Sequence, residues 1–251
     1  MVQILKYSVL SEEEVNYAAK ILINDGVIAL RTDTLYGIAC LANSNEAIKR
    51  LYEIKNRDKE KPISICVDSV EKIFDSGIFC KSVSEDQNLR DLANLTLPGP
   101  YTFVLQQQLE EEDKENHHEV LKISNKLNEK IDYLGVRIPN ESTILTICQA
   151  VGLPLALTSA NLSGEKSPLE IKDFANIWGN LDLILDGGRI DASGRTGSSI
   201  FKFVEKMKES GEITTAVELV RRGEGYEEIC VLFEKMSSEF DFKRPDEASS
   251  Y

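Results

Sequence analysis

A mixed α/β (α+β) fold is predicted for this chain by three observations. Short apolar runs of strand character alternate with amphipathic stretches of helical spacing along the whole length, the 251 residues are 42% hydrophobic and 28% charged, and no internal repeat interrupts the pattern. A chain of this size and balance can bury a substantial core as one unit. The expected organisation is one domain over residues 1–236, an acidic insertion at about 107–132 and a flexible tail at 237–251.

The elements follow in order. Ser11 with Glu14 forms a capping box that opens a helix, Gly26 can end it, and Val27-Ile28-Ala29-Leu30-Arg31 then reads as a buried strand. Ser44 or Asn45 opens a second helix, with Ile48, Leu51, Tyr52 and Ile54 at helical spacing and with Lys55 and Arg57 at its C-terminal end. Pro62 to Val67 is the next strand. Pro98-Gly99-Pro100 punctuates the chain before a strand at Tyr101 to Leu105, and Leu134 to Ile138 alternates as a strand that stops at Pro139. A helix from Ser142 to Val151, a strand at Leu155 to Thr158 and a helical stretch near Leu169 to Ile177 come next. Strands at Leu183 to Leu185, Ser199 to Val204 and Ala216 to Val220 complete the sheet. Residues 110–119 carry six acids against one lysine and, like the tail from Ser237, read as solvated loop.

Composition and absences narrow the chemistry. A net charge of -13 argues against a surface that wraps nucleic acid, so any contact with double-stranded RNA or another nucleic acid is expected to be weak and local. The five cysteines are odd in number and widely spaced, which disfavours a disulfide framework or a Cys-x-x-Cys zinc site, and no metal-ligand set is expected. No apolar run approaches the ~20 residues of a membrane span and no targeting segment is visible, so a cytoplasmic setting without membrane contact is expected. The only histidines, His117 and His118, lie in the acidic segment, which removes a Ser-His-Asp or Cys-His nucleophile system. Neither a P-loop nor a Gly-x-Gly-x-x-Gly fingerprint is present. Lys55 and Arg57 with Ser159 and Asn161 nevertheless make a set that suits a phosphorylated ligand through charge and hydrogen-bond donors. A nucleotide-handling enzyme is the leading reading.

Five short motifs occur in order: Arg31-Thr32-Asp33-Thr34-Leu35-Tyr36-Gly37, Lys55-Asn56-Arg57, Leu97-Pro98-Gly99-Pro100-Tyr101-Thr102, Val136-Arg137-Ile138-Pro139 and Thr158-Ser159-Ala160-Asn161-Leu162-Ser163-Gly164. By these the chain resembles the YrdC-like threonylcarbamoyl-adenylate synthases, from about Ile21 to Gly225, in their short form. The resemblance implies a twisted mixed sheet with flanking helices, bent around a positively charged central cavity. It also implies that L-threonine, bicarbonate and ATP become L-threonylcarbamoyl-AMP and pyrophosphate there, with Mg²⁺ bridged through phosphates. A threonylcarbamoyl-transfer complex then modifies tRNA.

Residue by residue, the resemblance puts Lys55 and Arg57 on the nucleotide phosphates as the catalytic pair, with Lys61, Tyr133, Ser159, Asn161, Ser167 and Arg221 as further ATP contacts. It puts Thr34, Arg137 and Ser198 on L-threonine. The segment Ser198-Ser199-Ile200-Phe201-Lys202 departs from the usual pattern, so Ser198 and Ser199 both stay open. Arg31 stands where proline is usual, and Cys66 where many relatives have a histidine. Two other readings are a carbamoyl-transfer role, as in hydrogenase maturation, and a noncatalytic RNA-binding or translation-accessory protein. The first belongs to long proteins with zinc-finger and acylphosphatase-like parts, neither of which is visible here; the second is disfavoured by the charge.

Overall fold

A computed structural model describes residues 2–56, 61–108, 121–191, 194–207, 211 and 213–245. The first helix, α1 (Glu12–Ile23), begins as its sequence dictates: Ser11 Oγ accepts from Glu14 N while the Glu14 carboxylate accepts from Ser11 N. Its exit is made by Asp25, at a φ of 62°, and Gly26, whose N–H closes on Ile21 O at 2.9 Å. Glycine is needed at 26 for close approach, since a Cβ there would lie 2.6 Å from Ile21 O.

Eleven strands among the described residues form one twisted, mixed sheet. They are β1 (Gln3–Lys6), β2 (Ile28–Arg31), β3 (Tyr36–Leu41), β4 (Ser64–Cys66), β5 (Tyr101–Gln106), β6 (Tyr133–Arg137), β7 (Leu155–Ser159), β8 (Leu183–Asp186), β9 (Ser199–Met207), β10 (Ile213–Arg221) and β11 (Phe240–Phe242). Their order is β1-β8-β2-β3-β7-β4-β6-β5-β9-β10-β11. The hairpin β2–β3 is antiparallel, β3 and β4 both flank β7 antiparallel, and β4–β6 and β5–β9 are parallel. This order sets the Thr32 to Leu35 turn, the end of β7, Arg137 and the start of β9 on neighbouring central strands.

Alternation decides what each face buries. Ile28, Leu30, Ala39, Leu41, Leu155, Leu157, Leu183 and Leu185 meet Ala18 and Leu22 of α1 and Ile144, Ile147 and Cys148 of α6 (Ser142–Val151). Ala29, Ile38, Cys40, Ile65, Ala156 and Ile184 belong to a second, larger core with Ile48 and Leu51 of α2 (Asn45–Lys55). Buried on both faces, β3 carries no polar alternation, which is why the sequence reading does not isolate it as a strand. Short helices α3 (Glu71–Phe74) and α4 (Lys81–Ser84), then α5 (Gln87–Thr96), connect β4 to β5; Asp86 caps α5 by accepting from Leu89 N. The predicted helical stretch near Leu169 is a 3-10 helix, Ile171–Asn180.

Part of the stretch expected as a solvated tail is packed against the sheet. Helix α7 (Tyr226–Lys235) and β11 pack an aromatic cluster of Phe201, Phe203, Phe233, Phe240 and Phe242, and β11 pairs in parallel with β10. Phe240 is buried, so the stretch 240–242 is part of the sheet and not a flexible tail; the Phe-Asp-Phe alternation was the available signal. The acidic segment 110–119 lies outside the described residues. The later part of the proposed insertion is integrated: Leu127 is buried, and the Asn128 side chain donates to Ile63 O and accepts from Ile63 N at 2.8 and 2.7 Å. A buried amide satisfied this way holds the approach to β4 in place.

Candidate active site

The turn between β2 and β3 is organised by one hydroxyl. Thr32 Oγ1 donates to Leu35 O at 2.7 Å and accepts from the backbone N–H groups of Thr34 and Leu35, and it lies 3.2 Å from Thr34 Oγ1. Both threonines are buried, so the local sequence fixes the Thr34 hydroxyl before any ligand arrives. Beneath the turn, the Tyr36 hydroxyl donates to Gly188 O at 2.7 Å. Burial and the nearby Asp186 carboxylate push this phenol well above its ordinary range, so it stays protonated as a donor.

Arg137 ends β6 in register with Cys66 of β4. Its Nη2 donates to Asp33 Oδ1 at 2.6 Å, and Asp33 Oδ2 accepts from Asn140 N at 3.0 Å. The side chains are only 11% and 10% exposed, so the inward charge has the anionic partner that its strand position demands. Arg137 Nε is buried without a hydrogen-bond partner among the described residues.

At the end of α2, Lys55 is 1% exposed and its ammonium donates to Ser159 O at 2.6 Å and to Asn161 O, with Ser159 Oγ at 3.4 Å. The lysine therefore ties α2 to the loop that leaves β7. Asn161 Nδ2 donates to Leu162 O and Glu165 O at 2.8 and 2.9 Å, which shapes that loop from within. Ser167, further on, has its carbonyl held by Arg195 Nη1, which is also paired with Asp173.

Ser198 and Ser199 separate cleanly. Ser198 Oγ lies 2.8 Å from Thr102 Oγ1 and accepts from Arg221 Nη2 at 3.2 Å, and the Arg221 guanidinium also holds Ser198 O through Nε and Nη2. Ser199 Oγ donates to Glu224 O at 2.9 Å and accepts from Gly223 N at 3.0 Å. Gly223 is needed because a Cβ there would lie 2.5 Å from Gly197 O. Ser199→Ala is expected to cost about 1–2 kcal/mol of stability, read as a lower urea midpoint, because it deletes both bonds at a fully buried position.

These segments meet at a cavity of about 170 Å³, whose lining includes Thr34, Ser64, Thr102, Arg137, Ser159, Ser167, Ser198 and Arg221. Two arginines and a set of hydroxyls face it, and among the described residues no carboxylate is in the lining. Thr34, Arg137, Ser159, Ser167, Ser198 and Arg221 are thus brought together from the residues expected by sequence. Lys55 stands behind Ser159, Asn161 shapes its loop, Lys61 is exposed, and Tyr133 lies outside the lining with Lys202 Nζ 3.9 Å above its ring. Arg57 lies outside the described residues. Sequence reasoning gave no role to Ser64, Thr102 or Asp33; a polar Thr102 between Tyr101 and Phe103, all three buried, was the visible signal for one of them.

Such a cavity can hold an anion by its guanidinium groups and orient it by short hydroxyl contacts. Comparison with known proteins agrees in fold and sequence. The profile of the Sua5/YciO/YrdC family, described as telomere recombination, matches residues 20–223. The threonylcarbamoyl-AMP synthase of Bos taurus is 37% identical over 164 residues, which are 65% of this chain and 52% of that protein, so the chain spans about half its length. The threonylcarbamoyl-AMP synthase of Klebsiella pneumoniae is 32% identical over 182 residues, covering 71% of this chain and 86% of that one. A doubly substituted P. abyssi Sua5 superposes with a TM-score of 0.73 at 26% identity, over 91% of this chain and 63% of that one. E. coli YciO, at 20% identity, shares the fold with a TM-score of 0.68 over 89% of this chain and 96% of that one. With the profile spanning most of its length and these folds superposing on its sheet, the chain belongs to the Sua5/YciO/YrdC family.

Proposed function

We propose that the protein is a threonylcarbamoyl-AMP synthase, which joins L-threonine, bicarbonate and ATP into L-threonylcarbamoyl-AMP with release of pyrophosphate and water. The observation that carries this reading is Arg137: a guanidinium held in a cavity of hydroxyl groups, with its Nε still lacking a partner. A substrate carboxylate is the ligand that such a group accepts best. Thr34 and Ser198 supply hydroxyls beside it, and Arg221, Ser159 and Ser167 serve the nucleotide.

The chemistry asks for position more than for a protein base. The threonine amine takes up carbon dioxide from bicarbonate as a carbamate, and a carbamate oxygen attacks the α-phosphorus while the bond to pyrophosphate breaks. In-line attack of this type is accelerated mainly by alignment and charge neutralisation. Arg137 would fix the carboxylate end of threonine and thereby the line of approach. Among the described residues no group of three or more His, Cys, Asp or Glu could hold a metal ion, and the lining carries no carboxylate. Mg²⁺ accompanying ATP would be held chiefly by phosphate oxygens and water and would help to neutralise the leaving pyrophosphate.

No helix of the described residues is long and apolar enough to cross a membrane. We assign the reaction to the cytoplasm and its product to a transfer complex that modifies tRNA. The test is pyrophosphate release with Mg²⁺, ATP and bicarbonate, with and without L-threonine: release that depends on threonine is expected, and threonine-independent hydrolysis would reject the reading. Ser198→Ala is expected to raise the threonine KM about tenfold as well as to lower stability through its lost contacts with Thr102 and Arg221, whereas Ser199→Ala should lower stability and leave the threonine KM nearly unchanged.

A further inference from the structure

Asp33 has no place in the cavity lining, yet it controls the charge that the cavity presents. Its Oδ1 is 2.6 Å from Arg137 Nη2, and its other oxygen is fixed by Asn140 N at 3.0 Å. The pair is nearly buried, so solvent screens it little. Arg137 thus offers N–H donors to the cavity while its charge is largely balanced from behind. Arg221, the other arginine of the lining, bonds Ser198 through Nε and Nη2.

The problem this answers is one of selection within one cavity. On the functional reading above, the same small space must take a monocarboxylate and a polyphosphate, and both ligands are drawn to arginine. An unbalanced Arg137 would favour the more highly charged anion, because attraction grows with ligand charge. A guanidinium already paired with a carboxylate behaves differently: its geometry still matches a second carboxylate, while a phosphate dianion meets the Asp33 charge at close range. Like charges brought together at a buried site oppose the wrong ligand strongly.

We propose that Asp33 is a specificity-determining residue, which reserves Arg137 for a monoanionic carboxylate by making that site hostile to phosphate. It acts through Arg137 and is a positioning residue, not a catalytic one. This rests on the amino-acid reading of the cavity.

The test uses inorganic phosphate as the probe, on the full chain and on Asp33→Asn, Asp33→Ser and Asp33→Glu. Asparagine keeps an acceptor for Asn140 N and removes the charge; glutamate keeps the charge. Phosphate inhibition competitive with threonine should strengthen about tenfold or more in the two neutral variants and stay at the wild-type level in Asp33→Glu. Unchanged phosphate inhibition in folded neutral variants would overturn the proposal. So would a chain that cannot fold as either neutral variant, since Asp33 would then belong to the fold. Calorimetric binding of phosphate and of L-threonine, measured without turnover, separates the two claims. Wild-type protein that binds no threonine removes the amino-acid reading, whereas tighter phosphate binding by Asp33→Asn would still support the screening role.

Discussion

Arg137→Ala is expected to lower kcat/KM for L-threonine by about a hundredfold or more while leaving the ATP KM within a few fold. The guanidinium is the cation of the lining that closes β6, and a charge-assisted clamp of this kind contributes about 1.5–3 kcal/mol per hydrogen bond. The substitution also strips Asp33 of its cationic partner at a nearly buried position, where the Asn140 N–H still donates to it, so stability should fall by about 3 kcal/mol. Pairing it with Asp33→Asn removes that stranded charge and should restore most of the stability but none of the threonine affinity. Initial rates against each substrate at saturation of the other separate the two effects. Equal increases in both KM values would remove the carboxylate assignment.

Lys55→Met should destabilise the protein by about 3 kcal/mol, a fall in melting temperature of roughly 6–12 °C, and raise the ATP KM in the same variant. Methionine keeps the apolar stem but deletes the ammonium that bonds Ser159 O and Asn161 O at a 1% exposed position. Ser159 is in the cavity lining and would shift once its carbonyl loses that donor. The expected coupling of the two losses distinguishes a brace from a direct phosphate contact. An ATP defect at an unchanged melting temperature would contradict the bracing role, and calorimetry beside steady-state kinetics reads both.

The sequence made much of this fold legible because its local signals agreed with its tertiary needs. Ser11 and Glu14 close their capping box, Ser44 caps α2, and Ser142–Val151 is helical over the predicted span. The failures have specific causes. Tyr36–Leu41 is buried on both faces and so lacks the alternation of a half-exposed strand, and the Phe-Asp-Phe alternation of Phe240–Phe242 is a single short signal set in a polar tail. In the site, Arg137 could be anticipated because a charge between Val136 and Ile138 in a strand requires a reason. Its partner Asp33 could not, because the contact spans more than a hundred positions and depends on the order of β2, β3, β7, β4 and β6. Lys55 was legible as important, while the carbonyls it grips depend on how the loop after β7 folds back on α2.

The central claim is that one cavity brings an amino-acid carboxylate and a nucleotide together so that bicarbonate carbon ends between them. Its most direct test is mass detection of the product formed from ATP and L-threonine with carbon-13 bicarbonate, by wild-type protein and by Arg137→Ala. An acyl-adenylate that carries the threonyl group and the isotope, abundant with wild type and nearly lost with the variant, is the predicted result. Label absent from the adenylate, or equal product from both proteins, would contradict the account.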